Sequence, residues 1–91
     1  MEEYDPEELE IIRKAVSCAS RLDAFLSSPN LTAKERIKRI KGKILEARKV
    51  YKEIKELYER RREKFIEGKM RYLETQIKIA EAILSSSEGD I

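Results

Sequence analysis

Side chains that commonly perform catalysis are scarce in this sequence. It contains no histidine, a single cysteine and only three glycines, none of them arranged as a phosphate-binding loop. Histidine is the most frequent general acid–base, and cysteine or serine nucleophiles need a neighbouring base. Carboxylates are plentiful, but helical di-metal sites add Glu-x-x-His ligands that are absent here. We therefore expect a protein that is not an enzyme, with no catalytic residue, metal site, cofactor or small-molecule substrate.

Charge distribution is the feature with the clearest functional meaning. Residues 34–71 contain 16 basic and 7 acidic residues, a net charge of +9, although the whole chain carries only +2. Six cations crowd residues 34–43, at the predicted start of a helix, where the helix dipole disfavours positive charge. Such a cluster suggests an anionic partner, most commonly a nucleic-acid backbone. The candidate polyanion-binding residues, including a second group at 60–62, are Lys34, Arg36, Lys38, Arg39, Lys41, Lys43, Arg60, Arg61 and Arg62.

Two structural explanations compete with that interpretation. Carboxylates at Glu7, Glu8 and Glu10 would lie near residues 60–62 if the first two helices are antiparallel, and ion pairs would then account for the second group. Residues 34–43 could equally be the solvated face of a lysine-rich helix, which is typical of heat-adapted proteins. The sequence contains no zinc-finger spacing, RNP motif or GXXG loop, and no turn that would complete a helix-turn-helix.

The first helix has clear boundary signals. Asp5 is the predicted N-cap, Pro6 occupies the first helical position, and two glutamates follow in the first turn. Apolar residues then recur at helical spacing until residues 27–30, a Ser-Ser-Pro-Asn segment. This predicts a helix over residues 6–27. Cys18 lies within its apolar stripe and is expected to be a small buried hydrophobic residue.

The second helix carries the most regular apolar pattern of the chain. Thr32 and Glu35 form a T-x-x-E motif that predicts a capping box and a helix over residues 33–62. Its heptad spacing indicates a coiled-coil-like seam, which either forms part of the core or mediates self-association. The seam consists of Ile37, Ile40, Ile44, Ala47, Tyr51, Ile54 and Tyr58.

A third apolar periodicity predicts a helix over residues 69–85, after a turn at 62–68 that contains Gly68. Flexible ends are expected at residues 1–4 and 86–91. The favoured fold is therefore a single all-α domain spanning residues 1–91, an antiparallel three-helix bundle. The alternative is one short helix followed by one long continuous helix, which would need a dimeric, coiled-coil-like assembly to bury its stripes.

Two functional hypotheses remain. The first is a non-enzymatic helical module that binds a protein partner or itself, because the seam is regular and catalytic groups are missing. The second is sequence-independent binding of nucleic acid or another polyanion by the basic cluster. No apolar run reaches the roughly 20 residues that a membrane span needs, and the acidic start lacks the basic and apolar regions of a signal peptide. We expect a cytoplasmic protein without a membrane partner.

Overall fold

The computed structural model describes residues 3–89 of the chain, with side chains through Ser87. It contains three α-helices: α1 (Pro6–Ser27), α2 (Ala33–Arg61) and α3 (Lys64–Gly89). Each helix packs against both others, and contacts such as Glu8 with Arg61 show that α1 and α2 run in opposite directions. Arg48 and Glu81 show the same for α2 and α3. The predicted all-α antiparallel three-helix bundle is confirmed.

The starts of α1 and α2 follow their sequence signals. The carboxylate of Asp5 accepts a hydrogen bond from the Glu8 backbone N–H, and the Glu8 side chain accepts one from the Asp5 N–H, a complete capping box. Thr32 likewise accepts from the Glu35 N–H. Its hydroxyl donates to the Glu35 carboxylate at 2.9 Å, so the Glu35 side chain is held by the cap residue's hydroxyl.

The core is built from one apolar face of each helix. Its largest fully buried side chains are Leu22 of α1, three residues of α2, and two of α3. Full burial of an aliphatic side chain of this size contributes about 1.5 to 3 kcal/mol, so this interior supplies most of the stabilisation. The α2 and α3 members of this set are Ile40, Ile54, Leu57, Ile66 and Leu73.

The junction between α2 and α3 differs from the prediction. The helix predicted over 33–62 ends at Arg61, and the helix predicted over 69–85 begins at Lys64, so the expected turn at 62–68 shrinks to two residues. Arg62 adopts the left-handed conformation, with φ of 54°, and its N–H donates to the Tyr58 carbonyl. Helices more often end at a glycine in the left-handed conformation. Because an arginine takes that conformation here, the short junction between α2 and α3 was not predicted from the sequence. Gly68 lies within α3 and does not break it.

The ends of the chain also differ in part from the prediction of flexibility over 1–4 and 86–91. Helix α3 continues to Gly89. Tyr4 is half-buried, and its hydroxyl donates to a carboxylate oxygen of Glu63 at 2.7 Å. Residues 1, 2, 90 and 91 lie outside the described part of the chain. Within residues 3–89, none of the helices combines the length and apolar character that crossing a membrane requires.

Candidate polyanion-binding surface

Arg36, one of the predicted polyanion-binding residues, donates hydrogen bonds to backbone carbonyls at the C-terminal end of α1. Its half-buried guanidinium donates to three backbone carbonyls, those of Phe25, of Ser28 at 2.9 Å and of Leu31 at 3.4 Å. The last four carbonyls of a helix lack intrahelical donors, and α1 has no basic residue in its last turn. Arg36 of α2 supplies that donor. A cation at the start of α2 is thus explained by the adjacent C-terminus of α1.

Arg61 and Arg62 also make contacts within the bundle. Arg61 donates to the Glu3 carbonyl and to the Glu8 carboxylate at 3.1 Å, and it pairs with Glu63 at 3.1 Å. Its guanidinium lies 4.7 Å from the centroid of the Tyr4 ring. These contacts hold the N-terminal segment against the α2–α3 junction, and the ion pair with Glu8 is one that the sequence predicted.

The remaining members of the second group differ in exposure and contacts. Arg62 lies over the Tyr58 ring, 5.6 Å from its centroid. Arg60 is exposed. Residues 60–62 therefore do not form a continuous basic surface, because their side chains point to different neighbours.

Two further members of the 34–43 cluster face away from its exposed centre. Lys43 is only partly exposed and donates to the Glu46 carboxylate at 2.8 Å; this hydrogen bond lowers the pKa of Glu46. Arg39 is exposed but, at 100° per residue, lies about 120° around α2 from the centre of the cluster's outward face. The nine predicted cations therefore do not share one face of the bundle.

Five lysines nevertheless share the outer face of α2, and we call them the lysine row. Lys34, Lys38 and Lys41 come from the predicted cluster, while Lys49 and Lys52 extend it by nearly three turns. At 100° per residue all five fall within an arc of about 80°, roughly opposite the buried face. The row is about 27 Å long, since it covers 18 residue steps of 1.5 Å. Every member is exposed.

The lysines of the row are not held in ion pairs among the residues whose side chains the structure describes. Within residues 3–87, whose side chains the structure describes, none of the five lysines takes part in an ion pair. Three carboxylates beside the row pair with other cations: Glu46 with Lys43, Glu53 with Lys14 and Glu81 with Arg48. Glu35 and Glu56 lie one helical turn from Lys38 and Lys52. Glu56 and Glu59 continue the same face beyond Lys52 and bound the row at that end.

The predicted seam lies inside the bundle. Ile40, Ile44, Ala47 and Ile54 are buried, and Ile37 is half-buried. Tyr51 and Tyr58 are also half-buried at the α2–α3 contact; their hydroxyls donate to Glu74 at 2.8 Å and to Glu67 at 3.0 Å. Burial, together with the hydrogen bond to Glu74, raises the pKa of Tyr51. The seam is thus not a free surface for another chain.

Apart from Leu45 on α2, the large apolar side chains that are exposed among the described residues lie along the line where α1 meets α3, which we call the α1–α3 edge. Leu9 is 52 % exposed, Phe65 53 % and Ile79 44 %. Val16 and Tyr72, which repeat Leu9 and Phe65 after one heptad, are half-buried. The apolar periodicity does not separate these residues from the core stripes, because their helical phase differs from that of the buried positions by only a fraction of a turn.

Other reactive groups offer no assembled site. Cys18 is 2 % exposed, and burial raises the pKa of its thiol, as the prediction of a buried small residue requires. Residues 3–89 bring together no group of three side chains able to hold a metal ion. Comparisons with protein-family models, with curated protein sequences and with solved structures found no match.

Proposed function

We propose that this protein is a non-enzymatic nucleic-acid-binding protein that holds the phosphate backbone with the lysine row, independently of base sequence. The observation that carries the proposal is the row itself: five exposed lysines on one helix face, none paired within the described residues. Polyanion binding by residues 34–43 was one of the two hypotheses from sequence. The geometry favours it because the row remains available, while the seam behind the other hypothesis is occupied by the core.

The row has no evident role in folding. Like charges three or four residues apart on a helix destabilise it by about 0.2 to 0.5 kcal/mol per pair. Lys34 and Lys38 form one such pair, Lys38 and Lys41 a second, and Lys49 and Lys52 a third. Oppositely charged neighbours would remove this cost, as they do for Arg48 and Glu81 on the adjacent face. A bound anionic backbone would offset the repulsion in the same way.

Sequence independence follows from the chemistry of the row. Lysine ammonium groups are compact point charges that suit phosphate contacts, whereas bidentate reading of base edges uses arginine, asparagine or glutamine. The row contains none of those three residue types. Gln76 is buried in α3, and Asn30 lies in the α1–α2 loop. A nucleic-acid ligand also fits the cytoplasmic location expected from the sequence.

The test is the affinity for a mixed-sequence duplex, measured by fluorescence anisotropy at about 100 mM salt. The row variant K38Q/K41Q/K52Q removes three contacts, and counterion release predicts weakening of up to about 500-fold. The control variant R21Q/K64Q/K78Q removes the same charge from exposed positions off the row, and we expect a much smaller effect. Equal weakening of both variants would show attraction to net charge alone and would reject the proposal.

A second candidate function, association with a protein partner or a second copy of this chain, is favoured by one observation. Leu9, Phe65 and Ile79 each expose about half of their surface along the α1–α3 edge, and exposed apolar side chains that recur along one edge are a feature of interaction surfaces. Light scattering over a range of concentrations tests self-association. A dimer that reverts to monomer in L9S/I79S would support this function, and a monomer at all concentrations would remove self-association.

A further inference from the structure

The ligand class can be narrowed from the surroundings of the lysine row. We propose that the row binds double-stranded rather than single-stranded nucleic acid, an inference that rests on the proposed function. Proteins that bind single strands combine a basic groove with exposed aromatic rings, on which bases stack at about 1 to 3 kcal/mol each. A surface without such rings gains only from charge. The position of every aromatic side chain therefore bears on the choice.

None of the six aromatic residues, all of which lie among the described residues, belongs to the row. Tyr51 and Tyr58 are the aromatics of α2, and both donate their hydroxyls to α3 carboxylates from half-buried positions. Phe65 is the exposed aromatic residue, but it lies on α3 and not on the row; its ring is 6.1 Å from that of Tyr4, and the Lys69 ammonium lies 5.2 Å from its centroid. The bases of a single strand bound along the row would contact only the aliphatic parts of lysines and one leucine, and no aromatic ring on which to stack.

The straightness of the row matches a stiff ligand. Helix α2 is fixed along its length by buried residues from Ile40 to Leu57, so its lysines remain in line. Duplex DNA carries one charge per about 1.7 Å of axis, against about 3.4 Å for one strand, so about 27 Å of duplex presents about 16 phosphates. A flexible strand would also lose conformational freedom on aligning with a straight row. Both effects favour the duplex.

Counterion release gives the size of the preference for duplex over single-stranded DNA. The association constant for duplex DNA falls as salt concentration to the power of about 0.9 for each phosphate neutralised. For single strands the power is about 0.7 per phosphate. With five phosphate contacts, the salt exponents for duplex and single strand then differ by about 1.0. For ligands of equal affinity at 1 M salt, the duplex should bind about 20-fold more tightly at about 50 mM salt.

An anionic membrane is the main competing ligand, and Leu45 distinguishes it. This residue lies between Lys41 and Lys49 with 72 % of its surface exposed. Membrane-surface helices insert a broad apolar face beside their cations, whereas the row offers a single leucine. Phosphate contacts made by lysines do not need that leucine. We therefore expect L45S to leave duplex affinity unchanged within about 2-fold, while it weakens any vesicle binding that depends on inserting an apolar side chain.

The experiment compares three probes at about 50 mM salt: a mixed-sequence duplex, one of its strands alone, and vesicles of phosphatidylcholine and phosphatidylserine. Wild type, K38Q/K41Q/K52Q and L45S are measured against each probe, after circular dichroism has shown that all three are folded. We expect the duplex to bind about 20-fold more tightly than the strand. The row variant, which keeps two lysines of the row, should show a preference of only about 3-fold, and L45S should retain the full preference.

Each contrary outcome has a separate meaning. A single strand bound as tightly as the duplex, with salt-dependent binding of both, overturns the duplex inference and leaves the proposed function standing. Absence of salt-dependent binding to both nucleic acids overturns the proposed function as well. Vesicles bound more tightly than the duplex, with that binding lost in L45S, would assign the row to a membrane surface and overturn both.

Discussion

Replacing Arg36 with methionine should destabilise the bundle substantially while barely affecting polyanion binding. Methionine keeps an apolar stem but removes the guanidinium that bonds the carbonyls of Phe25, Ser28 and Leu31. A hydrogen bond to a charged group contributes about 1.5 to 3 kcal/mol. The contact with Leu31 is long, and the site is only half-buried, so we expect a total loss of about 2 to 4 kcal/mol.

Thermal and urea unfolding, followed by circular dichroism, measure this loss. For a domain of this size, about 2 to 4 kcal/mol corresponds to a fall in Tm of about 10 to 30 °C. Lys38→Met is the matched control, since Lys38 is exposed two residues along the same helix, and it should change stability by no more than about 0.5 kcal/mol. The same small change for Arg36→Met would refute the proposed role of this side chain.

Duplex affinity provides the second half of this test. At about 100 mM salt, loss of one phosphate contact should weaken binding about 8-fold in Lys38→Met. Arg36→Met, measured at a temperature where it is folded, should stay within about 2-fold of wild type. Equal weakening of the two variants would place Arg36 in the binding surface, as its position in residues 34–43 first suggested.

Three further predictions concern stability. Ile54→Ala should cost about 2 to 5 kcal/mol in urea unfolding, because the side chain is fully buried and leaves a cavity; a cost near zero would contradict its core position. Thr32→Ala should cost about 1 kcal/mol through the lost cap of α2, whereas Thr75→Ala, at an exposed position within α3, should cost little. Tyr51→Phe should cost about 1 kcal/mol at neutral pH through the lost hydrogen bond to Glu74. Because the folded pKa of Tyr51 is raised, this contribution is present below the ordinary tyrosine value of about 10 and is lost as pH rises through the folded pKa. A Tyr51→Phe cost that persists in strong alkali would contradict the assignment.

The fold was largely predictable because its signals are local. Asp5 and Pro6 fix the start of α1, and Thr32 fixes the start of α2, through backbone groups only a few residues away. The heptad pattern placed Ile40, Ile44 and Ile54 on the buried face. The start of α3 was missed because Arg62 takes a left-handed conformation that sequences usually assign to glycine.

The proposed binding surface was harder to predict because it depends on contacts between helices. Residues 34–43 looked uniform in sequence, yet Arg36 turns toward the C-terminus of α1 and Lys43 toward Glu46. Lys49 and Lys52 were not assigned to the cluster, although helical phase alone would have placed them on the same face as Lys38. Local composition therefore located the charge, but only the packing showed which cations remain available.

The salt dependence of duplex binding tests the central claim most directly. If all five lysines of the row contact phosphates, the logarithm of the association constant should fall with the logarithm of salt at a slope of about −4.5. Between about 50 and 200 mM salt, affinity would then drop about 500-fold. K38Q/K41Q/K52Q should show a slope of about −1.8, and R21Q/K64Q/K78Q should keep the wild-type slope. A slope that is equal in wild type and the row variant would contradict the account.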